Sequence, residues 1–159
     1  MKMQIVARAA LFFAVAAFGD LALADTAVGD VTGVADGDTF YMKIAGESTR
    51  VRLAEVDAPE KKQPFGRRSE QSLRELVGKR AVTATWDKVD RYGRPIVRVV
   101  VDGVDVNAEQ VRRGFAWVYR RYSTDSSFYV FENEARLARR GLWADASPVE
   151  PWEWRRGRR

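Results

Sequence analysis

Val51-Arg52-Leu53-Ala54-Glu55-Val56-Asp57-Ala58-Pro59-Glu60 reads as a strand that runs into a proline turn. It delivers Arg52, Asp57 and Glu60 to the end of that strand. The period of two puts Arg52, Ala54 and Val56 on one face. Upstream, Asp36-Gly37-Asp38-Thr39 marks a tight turn at a strand junction. Downstream, Asp90-Arg91-Tyr92-Gly93-Arg94 forms a basic loop. Each segment alone is an ordinary turn with solvated charges. Gathered at one place, they would supply carboxylates for a hard cation and guanidiniums for a phosphate. The chain has no histidine, so proton handling there would fall to a carboxylate.

Outward from this stretch, Thr39 to Ile44 is β-rich and Ala45-Gly46-Glu47-Ser48 is a turn leading into Thr49 to Val56. Ala81 to Trp86 and Ile96 to Val101 make two further strands, and Phe115 to Tyr119 a short one. Leu73, Leu76 and Val77 at helical spacing predict a helix over Arg67 to Val77, ended by Gly78. Asn107 with Gln110 three residues later has the form of a capping box, predicting a helix that stops at Gly114. Phe128, Phe131, Ala135 and Ala138 form the core-facing stripe of a third helix, stopped by Gly141. Five or so strands with two or three helices suggest a small closed barrel of the oligonucleotide-binding type, an α+β fold that is mainly β.

At 159 residues the chain suffices for one domain. Residues 1–24 read as a secretory signal peptide. Lys2 and Arg8 precede the apolar run Ala9 to Phe18, which is shorter than the ~20 residues a membrane span needs, and Ala22-Leu23-Ala24 has the small residues of a cleavage site. An uncleaved anchor is the alternative. Cleavage would leave a domain at 25–147 with no stable membrane insertion, in the periplasm or outside the cell. In the basic Trp/Arg-rich tail at 148–159 the terminal arginines, Arg155, Arg156, Arg158 and Arg159, read as disordered, because they cluster without a core of their own. Pro151-Trp152-Glu153-Trp154 either docks on the barrel through its tryptophans or stays loose. There is no cysteine, so no disulfide framework is possible. A net charge of +5 suits nucleic acid, but it suits anionic lipid as well.

Taken together the segments resemble the staphylococcal nuclease-like (thermonuclease) family. The matching pieces are Val34 to Thr39, Val51 to Glu60, Asp90 to Arg94, Val106 to Val111 with Gly114-Phe115-Ala116, and Ala135 to Trp143. The likeness runs from about Val31 to about Trp143. It implies a five-stranded barrel with about three packed α-helices. It also implies a monomeric, Ca²⁺-dependent endonuclease. Such an enzyme would cut DNA and RNA with little sequence preference, single strands best, leaving 3′-phosphate ends.

Carried over by position, the resemblance implies that Asp38 and Asp57 are metal carboxylates and that Ala58 gives its backbone carbonyl to the ion. Glu60 matches the residue that handles the attacking water. Arg52 and Arg94 match the guanidiniums on the scissile phosphate. Arg91, Tyr92 and Tyr122 fall at substrate-facing positions, where a tyrosine can carry a base by stacking. Two departures stand out: Lys61 to Gly66 is shorter than the family's mobile loop, and Arg120 stands where a further tyrosine is expected. Trp117 and Tyr119 read as core or rim. Two other readings have different signatures. A noncatalytic nucleic-acid-binding barrel would lack some of these acids or arginines. A secreted interaction domain would need no such cluster.

Overall fold

The computed structural model describes residues 24–157. The signal-peptide expectation therefore lies almost wholly outside the described residues. The chain opens with β1 (Asp25–Val34), followed by β2 (Thr39–Ile44), β3 (Glu47–Leu53) and the two-residue β4 (Val56–Asp57). Helix α1 (Gly66–Val77) leads to β5 (Ala81–Trp86), β6 (Ile96–Val101) and β7 (Val104–Asp105). After α2 (Val106–Arg112) come β8 (Trp117–Val118), α3 (Ser127–Leu137), a 3-10 turn at Gly141–Ala144 and the short helix α4 (Pro151–Trp154).

The sheet order β3-β2-β1-β5-β6-β7 closes on itself because β3 also pairs with β6, in parallel, through Arg52↔Ile96 and Leu53↔Val97. Closure leaves a five-stranded barrel with β7 as an extra strand on β6. Alternation fills its interior. Phe40 and Met42 of β2, Val51 and Leu53 of β3, Val82 and Ala84 of β5, and Val97, Val99 and Val101 of β6 are buried. Leu73 and Val77 of α1 and Val111 of α2 extend that core. Trp117, Ala135, Leu142 and Trp143 form a second, smaller cluster on which Trp152 packs.

Four features differ from the sequence reading. Asp25–Val34 is a strand the pattern did not reveal, because it alternates only between exposed and half-buried positions. It serves two neighbours, pairing with β5 through Asp25–Asp30 and with β2 through Val31–Val34. It passes so close to β2 that a Cβ on Gly29 would sit 1.8 Å from the Lys43 carbonyl oxygen. Second, the strand expected to run to Val56 breaks after Leu53, and Glu55 takes a left-handed φ of 64°. Such a φ costs a non-glycine residue about 1 kcal/mol. It is held by Tyr119 N–H on the Glu55 carbonyl at 2.8 Å, and by Thr124 N–H and Oγ1 on its carboxylate, each at 3.0 Å.

Third, Asn107 and Gln110 are not a capping box. Asp105 is the N-cap of α2, accepting from Ala108 N–H at 2.9 Å. Asn107 and Gln110 are fully buried and bond to distant backbone. Fourth, Arg155 and Arg156, expected in a disordered end, belong to a segment folded onto the barrel. Of the two outcomes open for Pro151–Trp154, it is docking through the tryptophans that occurs. Trp152 stacks on Tyr119 with planes 6° apart and meets Trp117 edge-on.

Candidate active site

The break after Leu53 decides the geometry of the rim. Arg52 lies between the inward-facing Val51 and Leu53, so its side chain leaves the barrel wall toward the two aspartates. Its Nη1 donates to Asp38 Oδ1 at 2.7 Å and its Nη2 to Asp57 Oδ1 at 3.0 Å. A further bond from Nη2 to the Val56 carbonyl, at 3.2 Å, braces the fork. Asp38 also accepts from Thr39 Oγ1 and, through Oδ2, from Ala58 N–H, both at 2.8 Å. That last bond ties the Asp36–Asp38 loop directly to the Asp57–Ala58 turn.

The loop has no slack. Gly37 is glycine because a Cβ there would fall 1.8 Å from Ser69 Oγ and 2.8 Å from Ala58 Cβ. Its carbonyl accepts from Gln110 Nε2 at 2.7 Å, and Ser72 Oγ donates to Gln110 Oε1 at 2.6 Å. Helices α1 and α2 thus clamp the acid loop from below.

Glu60 sits beyond Pro59, its side chain 41% exposed. Its N–H donates to Gln63 Oε1 at 3.1 Å. Its carboxylate reaches the aspartates through Arg155. Arg155 Nη1 donates to Glu60 Oε1 at 2.8 Å and Asp57 Oδ1 at 3.2 Å, and Nη2 donates to Asp57 Oδ2 at 2.7 Å. Sequence reasoning missed Arg155 and placed it in a disordered tail. The signal that could have found it is Pro151 at the start of a helix with two tryptophans, apolar anchors inside a basic segment.

Burial dominates the electrostatics. Asp36 is pushed up to about 7 by burial first and by the charge of Asp38 second. Asp57 is also raised. Burial and Asp38 outweigh what the bond from Arg155 and the charges of Arg52 and Arg155 recover. Burial works against the charge on Arg52, but Asp38 and Asp57 more than offset it and raise its pKa. The rim is therefore a concentration of buried negative charge held by guanidiniums.

Arg94 does not join its side chain to this group. The Pro95 carbonyl next to it accepts from Arg52 N–H at 3.0 Å, so its backbone is at the site. Its guanidinium, however, pairs with Asp90, with Nη2 at 2.6 Å and Nε at 2.7 Å from Oδ2. A carboxylate four residues away on the same turn is the nearest available partner. Arg52, Asp38, Asp57 and Glu60 are thus brought together, while Arg94 is parked beside them.

Asp90 yields a pH prediction. Burial opposes its charge, but bonds from the Arg94 backbone and guanidinium and from Tyr92 N–H outweigh that and lower its pKa. A depressed carboxylate contributes stability above its unfolded value, about 4. It loses that contribution as pH falls through the folded value. Asp90→Asn should therefore lower Tm most near neutral pH, with the gap to the parent closing below about pH 4. A gap that stays constant from pH 7 to pH 3 would contradict this.

Of the substrate-facing expectations, Tyr92 is 68% and Tyr122 58% exposed. The Arg91 and Arg94 guanidiniums lie 4.8 and 5.5 Å from the Tyr92 ring centroid. Tyr122 meets Tyr119 edge-on at 4.8 Å. Arg120 bonds to buried Glu132 at 3.1 Å and so serves structure.

The donors available to a metal ion here are all oxygens, the chemistry a hard divalent cation prefers. Such an ion would offset the burial that chiefly raises Asp36 and Asp57 and the repulsion from Asp38 that adds to it. The residue types therefore fit. Among the described residues no three acids are arranged to hold one by themselves.

Comparison with known proteins agrees with this geometry. The sequence pattern described as "Staphylococcal nuclease homologue" matches residues 50–145. An "Uncharacterized endonuclease" of Escherichia coli O157:H7 is 48% identical over 128 residues, covering 80% of this chain and 84% of that protein. A "Micrococcal nuclease" of Shigella flexneri is 42% identical over 139 residues, 80% of each chain. "Protein ParB" of Escherichia coli is 41% identical over 139 residues, 80% of this chain and 78% of its own. An arginine forked between two buried aspartates on the rim of a closed barrel, within a match of this extent, means that the chain belongs to the staphylococcal nuclease homologue family and is a nuclease.

Proposed function

We propose that this nuclease is a Ca²⁺-dependent endonuclease of DNA and RNA. It acts best on single strands with little sequence preference and leaves 3′-phosphate ends. The observation that carries this is the convergence of Asp38, from the Asp36–Thr39 turn, with Arg52, Asp57 and Glu60, from the Val51–Glu60 stretch, onto one rim. Asp38, Asp57 and the Ala58 carbonyl would hold the ion. When bound, the ion would draw charge from the phosphate and orient water.

The chain's own residues do the rest. Glu60, the most exposed of the three acids, takes the proton of the attacking water at its carboxylate. Arg52, swinging off the aspartates when the phosphate arrives, donates two parallel N–H bonds to phosphate oxygens, a geometry that a lysine does not reproduce. Arg94 adds a second guanidinium once released from Asp90. Exposed Tyr92 and Tyr122 offer stacking faces and Arg91 a backbone contact, which favours unpaired bases without reading their identity. The signal-peptide pattern read at 1–24 supports a secreted or periplasmic location. No helix among the described residues is long and apolar enough to cross a membrane.

The test is to incubate the protein with denatured DNA or RNA in Ca²⁺ or in chelator, beside Glu60→Gln. Chelation should stop cutting. Glu60→Gln should slow it about 10²-fold or more with little change in Tm, since Glu60 is half exposed. Fragments should need phosphatase treatment before a polymerase can extend them. Cutting in chelator, or a Glu60→Gln variant as fast as the parent, would defeat the reading.

A further inference from the structure

Arg155 is the feature that the catalytic reading leaves unused. Its guanidinium makes three hydrogen bonds to Asp57 and Glu60, the acids assigned to the ion and to the water. The segment that delivers it is anchored to the rest of the fold at two points and closed by a helical bond of its own. Gln63 Nε2 donates to the Val149 carbonyl at 2.6 Å, while the same side chain receives the Glu60 N–H. Trp152 is seated on Tyr119 and Trp117. Arg155 N–H closes α4 on the Pro151 carbonyl at 3.0 Å.

The two arginines of the rim differ in kind. The Arg52 side chain is 18% exposed and braced by the Val56 carbonyl, whereas that of Arg155 is 41% exposed at the end of a one-turn helix. Arg52 and Arg155 together place three hydrogen bonds on the Asp57 carboxylate, which has about four lone-pair sites. A divalent cation there competes with a guanidinium for lone pairs and is repelled by its charge. Arg155 is the one built to yield.

The geometry points to Arg155 as a built-in competitor for the metal ion, covering Asp57 and Glu60 until a divalent cation displaces it, so that α4 sets the metal concentration at which the site switches on. This rests on the calcium reading above.

Calorimetric titration of the full chain with Ca²⁺, beside Arg155→Ala and Arg156→Ala, tests it. Arg156 removes the same charge one residue away, where it pairs with Glu153 at 3.0 Å outside the site. Arg155→Ala should bind Ca²⁺ about threefold to tenfold more tightly, given the partial exposure of the pair, and Arg156→Ala should stay within about twofold of the parent. In the parent, Ca²⁺ should speed hydrogen exchange of the amides of residues 153–157. If Arg155→Ala binds no more tightly than Arg156→Ala, or calcium leaves that exchange unchanged, the competitor role is overturned. Weaker binding by Arg155→Ala, with slower cutting at saturating calcium, would overturn it too and make Arg155 a substrate contact. A parent that binds no calcium at all sinks the calcium reading itself, a distinct outcome.

Discussion

Arg52→Ala should lose about 10²–10³ in cutting rate and about 3 kcal/mol of stability. The rate loss follows from removing the forked donor best placed for phosphate oxygens as charge builds on them. The stability loss follows from burial. Asp38 and Asp57 have side chains only 4% and 1% exposed, and among the described residues Arg52 is the one bonded to both. Without it, Asp38 keeps Thr39 Oγ1 and Ala58 N–H but no bonded cation, and the two carboxylates repel. Arg155 still pairs with Asp57, which keeps the loss at the lower end of the range for a broken buried pair. Arg52→Lys separates the two effects. It keeps a charge near both acids and should recover much of the stability, while a point charge cannot restore the parallel bonds. Its rate should stay at least about tenfold down. Denaturant midpoints and single-turnover rates on folded protein measure both. An Arg52→Ala variant within about threefold of the parent rate would remove Arg52 from the chemistry.

Asn107→Ala should cost about 3 kcal/mol, a large share of the ~5–15 kcal/mol that holds a domain together. The side chain is fully buried and makes three bonds. It accepts from Val99 N–H at 3.1 Å and donates to the Val97 carbonyl at 2.9 Å and the Ala54 carbonyl at 3.1 Å. Alanine leaves these backbone groups without that partner in a region water does not reach. The Ala54 bond matters most for function, because Ala54 begins the break that turns Asp57 toward Asp38. Asn107→Asp should be worse still, since it sets a carboxylate oxygen against two carbonyls. Urea unfolding checks both, and a loss under about 1 kcal/mol for Asn107→Ala would show that the bonds are replaced from elsewhere.

Asp38, Arg52, Asp57 and Glu60 were legible because each lies beside a turn signal, so strand alternation and punctuation locate them before any fold is known. The helices α1 and α3 were legible for the same local reason, their apolar stripes. On α3, however, only Phe128 and Ala135 of the expected core face are buried, with Glu132 beside them, while Phe131 is half-buried and Ala138 lies exposed past the helix end. β1 was not. Its small and half-exposed residues carry no strong period, and its pairing to both β5 and β2 exists only once the barrel closes. Asn107 and Gln110 misled because three-residue spacing is also what a local cap looks like. Their partners lie 53 and 73 positions away, at Ala54 and Gly37.

By itself the sequence determined the class of barrel and marked the charged turns as site candidates, since both follow from short-range pattern: which residues alternate, which turn, and which bear charge. The roles of those residues came only from the family resemblance. Tertiary structure alone decided how the charges pair. Arg94 went to Asp90 because four residues on one turn bring them together, whereas Arg155 crossed 98 positions to Asp57 because Trp152 found a ring to stack on. Ion pairing depends on distance through space, and chain order carries that distance only within a turn or two.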